Sequence, residues 1–300
     1  MNKFAVAGIV QIETIVKVDR IPVEYSPVVN KPNTIFTNVG GDAYNECLAL
    51  RALGNNVAFF TMTGKDNTDM IVKDKLISEA DYVFPALDAT PTAVILYDEN
   101  RKQQIYEDIK NVRDVVYPID PFKKNISDAD CVVLANANFC RPLAKAAKEM
   151  GKTLAINFRG FTEDKYEYNK DLMDTADIIY LSDDNIVTEP DEFVRKLADS
   201  HTNAKIFILG QGADGLTIFS RDDDLLAHYR PVKTTEIVNT AGAGNSLFSC
   251  FLHCYIKSGD AVHSIKNALL FASYKIGYMG TSHGFLTEEE LDRWYHLIWG

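Results

Sequence analysis

No stretch of this chain approaches the roughly 18–20 consecutive apolar residues that a membrane-spanning helix requires, so no membrane partner is expected. Nor is positive charge in excess: 31 Lys and Arg stand against 42 Asp and Glu, for a formal net charge of -11. That balance excludes nucleic acid as the main partner, because such binding neutralises phosphates with Lys and Arg. An anionic substrate must therefore meet a local positive site. Cysteine is sparse and odd in number, and Cys47, Cys131, Cys140, Cys250 and Cys254 lie mostly within apolar segments. A disulfide framework is excluded, and a soluble protein in a reducing, cytoplasmic setting is expected. Internal repeats and low-complexity tracts are also missing. The opening residues 1–10 are apolar, but Gln11 and Glu13 interrupt them and no small-residue cleavage site follows, so they read as a first strand rather than a signal peptide.

What is present is ordinary for a globular enzyme, with 46% hydrophobic and 24% charged residues over 300 positions. The apolar run 4–9 suits a buried strand, and 12–18 continues with alternation. After Pro22, Pro27 and Pro32, a short strand over 34–38 leads into Gly40-Gly41, a helix over 43–53 stopped by Gly54, and a strand over 57–63. This is a βαβ-type unit and predicts a mainly parallel sheet. The order recurs with strands over 131–135, 153–158, 178–181 and 205–209, and helices over 143–150 and 191–198. Residues 93–97 and 103–107 break the alternation: they flank Asp98-Glu99-Asn100-Arg101 like a hairpin. With 12–39 they are expected to form a small β lid, covering about 12–39 and 90–110, on a single α/β domain spanning 1–300.

The most informative segment runs Val238-Asn239-Thr240-Ala241-Gly242-Ala243-Gly244-Asn245-Ser246-Leu247-Phe248, read as a strand end, a turn of small residues and an apolar helix. Residues with little side chain let backbone N–H groups converge at a helix N-terminus, where the dipole and unpaired donors favour an anion. The stretch resembles the C-terminal signature of the ribokinase/PfkB family of carbohydrate kinases, whose usual Gly-Ala-Gly-Asp carries the catalytic base as its Asp. Here that position is Asn245. Asn38-Val39-Gly40-Gly41-Asp42-Ala43-Tyr44-Asn45 resembles the family's N-terminal signature, with Asn45 four residues after the second glycine. Gly41, Asp42 and Asn45 then face a ligand; a helix start with a routine cap is the plain alternative.

Further matches are weaker. Gln11 and Glu13 stand where the family grips substrate hydroxyls with Asn and Asp, or else form a surface pair on an edge strand. Ala155-Ile156-Asn157-Phe158-Arg159 resembles the Asp-x-Asn-x-Arg strand end of some sugar kinases, which makes Arg159 either a phosphate or acidic-group partner or a solvated loop arginine. Leu209-Gly210-Gln211-Gly212-Ala213-Asp214-Gly215 resembles the Gly-x-x-Gly turn near the nucleotide through Gly212 and Gly215, and a plain hairpin explains the same glycines. Asn267 and Ala268 are adenine neighbours by the same resemblance. Asp183 and Asp184 follow a strand where many relatives carry Asn-x-x-Glu, a place for hydrated Mg²⁺.

The resemblance implies the ribokinase-like three-layer α/β sandwich, ATP and Mg²⁺, phosphorylation of a hydroxyl on a small sugar-like molecule, and a homodimer paired through the lid. Gly242, Ala243 and Gly244 become the anion hole, with Asn245 at the base position. An amide cannot accept the hydroxyl proton, and general base catalysis is worth about 10² to 10⁴ in rate. A pseudokinase that binds nucleotide or sugar, and a nucleoside kinase, remain open. No protein-held metal is expected: Cys250, His253 and Cys254 share one helical turn and lack the spread of a tetrahedral site. Leu247 stands where a dinucleotide fingerprint needs its third glycine.

Overall fold

In the computed structural model, which describes every residue except Ile77 and Arg101, the apolar opening becomes β1 (Lys3–Ala7). It is followed by β2 (Gln11–Lys17), β3 (Ile35–Gly40), α1 (Asp42–Ala52), β4 (Asn56–Thr63), α2 (Asn67–Lys75) and β5 (Asp81–Pro85). Next come β6 (Thr92–Tyr97), β7 (Gln103–Asp108), α3 (Ile119–Asn125), β8 (Cys131–Ala135), α4 (Cys140–Glu149), β9 (Thr153–Asn157), α5 (Tyr166–Thr175) and β10 (Ile178–Ser182). The rest supplies α6 (Pro190–Ser200), β11 (Ile206–Gly210), β12 (Leu216–Ser220), β13 (Leu225–Tyr229), α7 (Ala243–Ser258), α8 (Ala261–Lys275) and α9 (Glu288–Trp299). Arg101, part of the expected hairpin turn, lies outside the described residues.

Two sheets result. The larger has the order β13-β12-β11-β10-β9-β8-β1-β4-β5 and is parallel from β11 to β5, with β12 and β13 antiparallel at one edge. Alternation along β1 explains why helices cover both faces. Phe4 and Val6 join a core with residues of α1, α7 and α8, while Ala5 and Ala7 join a second core with residues of α4, α5 and α6. Burying each large apolar side chain is worth roughly 1.5–3 kcal/mol, which makes these two layers the main source of stability. The architecture is therefore a three-layer α/β sandwich. The smaller sheet, β3-β2-β6-β7, pairs β2 in parallel with β6 and antiparallel with β3, and uses the segments expected for the lid.

Element limits differ from expectation for local reasons. α4 begins at Cys140 rather than 143, because Pro142 falls within the first turn, where its missing N–H is not needed. The expected strand end before the small-residue turn is absent: 230–242 is irregular, and the N–H groups of Val238 and Asn239 donate instead to the Ile276 carbonyl at 2.8 and 3.0 Å. Among the described residues no helix is long and apolar enough to cross a membrane. All five cysteines are free and buried.

Candidate functional site

The C-terminal ends of the parallel strands and the first turns of α1 and α7 meet in one polar cluster, the crevice position expected for an open α/β sheet. Asp42 opens α1, and its Oδ1 accepts from two donors: Arg159 Nη1 at 2.8 Å and Asn245 Nδ2 at 3.0 Å. Asn245, in the first turn of α7, in turn accepts at Oδ1 from Asn157 Nδ2 at 3.0 Å. Asn157 closes the circuit by accepting the Arg159 backbone N–H at 3.1 Å. Arg159 also reaches Glu107 of β7 at 3.4 Å, which ties the cluster to the smaller sheet. It is thus an ion-paired arginine, not a solvated loop residue. The charge of Asp42 raises the guanidinium pKa, against the opposing pull of burial and with help from Glu107 and Glu13.

Gln11 and Glu13 are both buried, so the surface-pair alternative fails. Glu13 accepts from Gln11 Nε2 at 3.2 Å, the Gly41 backbone N–H at 2.9 Å and the Thr281 hydroxyl at 2.6 Å. Gly41 is the N-cap of α1 and supplies no side-chain cap. Asn45 is buried one turn into that helix, and its Oδ1 has no partner among the described residues. An orphaned buried acceptor of this kind suits a ligand hydroxyl.

At the α7 N-terminus, Gly242 adopts a left-handed φ of 80°, and a Cβ there would lie 2.8 Å from the Thr281 carbonyl oxygen. The turn is braced from within, as Asn239 Oδ1 accepts the Ala241 N–H at 3.0 Å. It is braced from behind by the fully buried Lys275, whose ammonium donates to the Ala241 carbonyl at 2.5 Å and to that of Gly280. Burial pushes Lys275 down to about 8, with the charge of Glu13 opposing. Ala243 and Gly244 then start the helix, and Gly244 packs on Tyr180, whose hydroxyl would sit 2.6 Å from any added Cβ. First-turn N–H groups have no partner within the helix, and those of Gly244 and Asn245 find none elsewhere among the described residues, which suits an anion.

Gly212 and Gly215 lie in a tight turn between the antiparallel β11 and β12, closed by Gln211 N–H to the Gly215 carbonyl at 2.8 Å. This is hairpin geometry at the C-terminal end of a central strand. Asn267 is buried in α8, donating to the His263 carbonyl at 3.0 Å, and Ala268 is in the core. Asp183 and Asp184 follow β10; burial and then the charge of Asp184 raise the Asp183 carboxyl pKa, a setting a hydrated cation would relieve. Among the described residues no three His, Cys, Asp or Glu side chains converge to hold a metal.

Two residues of the cluster received no role from the sequence. Asn157 was visible only as the middle of the strand-end motif. Glu46, fully buried, accepts from Asn157 Nδ2 at 2.7 Å through Oε1, and its Oε2 has no partner among the described residues. Burial pushes its carboxyl up to about 8, against the Asn157 hydrogen bond. The signal for Glu46 lay in spacing: 42, 46, 49, 50 and 53 form one helical stripe that ends in Ala49, Leu50 and Leu53.

Residues 1–288 match the pfkB family carbohydrate kinase profile. Among curated relatives, a deoxyribokinase from Salmonella typhi is 30% identical over 103 residues, a match that spans about a third of either chain (34% and 32%). A ribokinase from Dictyostelium discoideum is 23% identical over 97% of this chain and 99% of its own. Among solved structures, the microbiome-derived acarbose kinase Mak1 superposes with a TM-score of 0.85 at 22% identity, covering 97% of this chain and 98% of its own. The fold is that of the ribokinases.

Proposed function

Since the chain belongs to the pfkB family of carbohydrate kinases, we propose that it transfers the γ-phosphoryl group of ATP to a hydroxyl of a small sugar or sugar-like molecule. The observation that carries this reading is the closed circuit Asp42–Asn245–Asn157–Arg159 set against the N-terminus of α7. Groups suited to hydroxyls beside a turn suited to an anion support it, since phosphoryl transfer needs positioning and charge stabilisation from a protein.

In this reading Gln11, Glu13, Gly41, Asp42, Asn45 and Arg159 hold the substrate, and the orphaned Asn45 Oδ1 accepts from one of its hydroxyls. Gly242, Ala243 and Gly244 receive the transferring phosphoryl group. The turn with Gly212 and Gly215 borders the nucleotide, and Asn267 and Ala268 of α8 neighbour its adenine. Asp183 and Asp184 would hold hydrated Mg²⁺ brought with ATP, which would neutralise charge on the phosphates. The buried free thiols fit a reducing, cytoplasmic setting.

On one face of the smaller sheet Val94 stands opposite Tyr106, and Ile35, one row along on the same face, is 64% exposed. That apolar face supports a homodimer paired through the lid, to be measured by sedimentation equilibrium.

The test of the activity is ATP-dependent ADP release across a panel of sugars, fructosamines and nucleosides, run for the native chain and Asn245→Asp. Release in at least one form, dependent on one class of panel member, is expected. If neither form releases ADP with any panel member, the kinase reading is wrong.

A further inference from the structure

Position 245 holds an amide, yet a carboxylate stands in direct contact with it. We infer that Asp42 takes the substrate proton that Asn245 cannot, so that the base has moved from the first turn of α7 to the first turn of α1. The inference rests on the kinase reading above.

Four carboxylates belong to the site or border it, and three are unsuited. Glu46 is wholly buried and already holds its own proton through neutral pH. Glu13 is occupied by Gln11, Gly41 and Thr281, and does not touch Asn245. Glu107 shares Arg159 Nη1 with Asp42 at the longer distance of 3.4 Å, and among the described residues its side chain bonds nothing else and does not touch Asn245. Asp42 alone is bonded to Asn245, at 3.0 Å.

Asp42 is partly exposed whereas Asn245 is buried, so Asp42 is the one of the pair that an entering hydroxyl meets. Both donors that reach it bind Oδ1; among the described residues none reaches Oδ2. Arg159 and the Asn245 amide therefore fix the orientation of the carboxylate and leave one oxygen free to accept a proton.

The step balances without a further reagent. The substrate hydroxyl oxygen bonds to the γ-phosphorus as the bond from that phosphorus to the β–γ bridging oxygen breaks. The electron pair leaves with ADP, and the hydroxyl proton passes to Asp42 Oδ2. An amide at 245 suits this arrangement, since a second carboxylate about 3 Å away would repel Asp42 and force the pair to share a proton.

The experiment is steady-state kinetics on four forms: native, Asp42→Asn, Asn245→Asp and the double variant, with the panel member that supports turnover and with pH profiles for each. Asp42→Asn keeps the shape and the Arg159 hydrogen bond, and a thermal melt checks that each form folds. In the native background Asp42→Asn should lower kcat by about 10²- to 10⁴-fold and remove the acid limb of the kcat profile. In the Asn245→Asp background the same change should raise KM but cost kcat less than about tenfold, because a carboxylate again stands at 245.

Equal losses in both backgrounds would reduce Asp42 to a binding residue and overturn the inference. So would an inert native chain beside an active Asn245→Asp. In either case Asn245→Asp still turns over, whereas failure of the kinase reading itself silences all four forms.

Discussion

The two glycine turns proposed to meet ligand, at Gly242 on the substrate side and at Gly212 on the nucleotide side, have different surroundings. At the substrate end the turn at Gly242 is enclosed: Thr281 crowds it, Tyr180 fills the space under Gly244, and Lys275 clamps the Ala241 carbonyl from behind. At the nucleotide edge the turn at Gly212 stands free, with nothing within 4 Å of where a Cβ would go. Both glycines have positive φ, 80° at Gly242 and 54° at Gly212. The difference teaches that one turn is specified by packing and the other by backbone conformation alone. A preorganised anion site must be rigid before the ligand arrives, and the enclosed turn has the means to be.

The sharpest way to break the comparison is to add the same methyl group at both turns. Gly242→Ala would force its Cβ to within 2.8 Å of a backbone oxygen that no side-chain rotation can relieve. The turn and the start of α7 must shift, and a 1 Å displacement of positioning groups is enough to cost about 100-fold in rate. Turnover is expected to fall by at least about that factor, with a lowered Tm; an unchanged kcat would mean that the turn is not the anion site.

A second prediction sharpens the contrast through charge. Glu46 is the only group of the substrate-end circuit with a carboxyl pushed up to about 8, against an ordinary value of 4.5. It takes up a proton on folding anywhere between those values, so its contribution to stability is full below about pH 4.5 and is lost as pH rises through about 8. Within that window each pH unit costs at most about 1.4 kcal/mol. Glu46→Gln keeps the shape and the acceptor for Asn157 but has no proton to lose. Its melting temperature should match the native chain near pH 4 and exceed it increasingly towards pH 8. Parallel curves would show that Glu46 is ionised in the folded protein.

Glu46 also marks the limit of what the sequence discloses. The small-residue turn at 241–244 and the Gly40-Gly41 pair were legible because their requirement is local: a backbone approach that needs absent side chains is written in the residues that lack them. The parallel sheet was legible from apolar strands alternating with helices. The pairing of β2 with β6 was not, since its register, Ile12 opposite Thr92, joins strands eighty residues apart with no local signal. The circuit around Asn245 was half legible. Asp42, Arg159 and Asn245 were picked out by type and position, yet that they bond to one another follows from the packing of α1 against α7, a tertiary fact. Asn157 and Glu46 are polar groups on faces that periodicity assigns to the core, and a rule that puts apolar residues inside passes over them.

The smallest effect expected is at the free turn. Gly212→Ala meets no atom, so its only cost is holding a non-glycine residue at a φ of 54°, near the left-handed well that such residues do enter. That penalty is about 1–2 kcal/mol and falls on a hairpin closed by its own backbone hydrogen bond, Gln211 to Gly215. Affinity for ATP should change by less than about tenfold, the equivalent of 1.4 kcal/mol, and kcat should stay near the native value. A loss as large as that of Gly242→Ala would place a phosphate, rather than the edge of the nucleotide, against Gly212. The two ends would then be equivalent anion sites, and enclosure would have nothing to do with where the phosphoryl group is held.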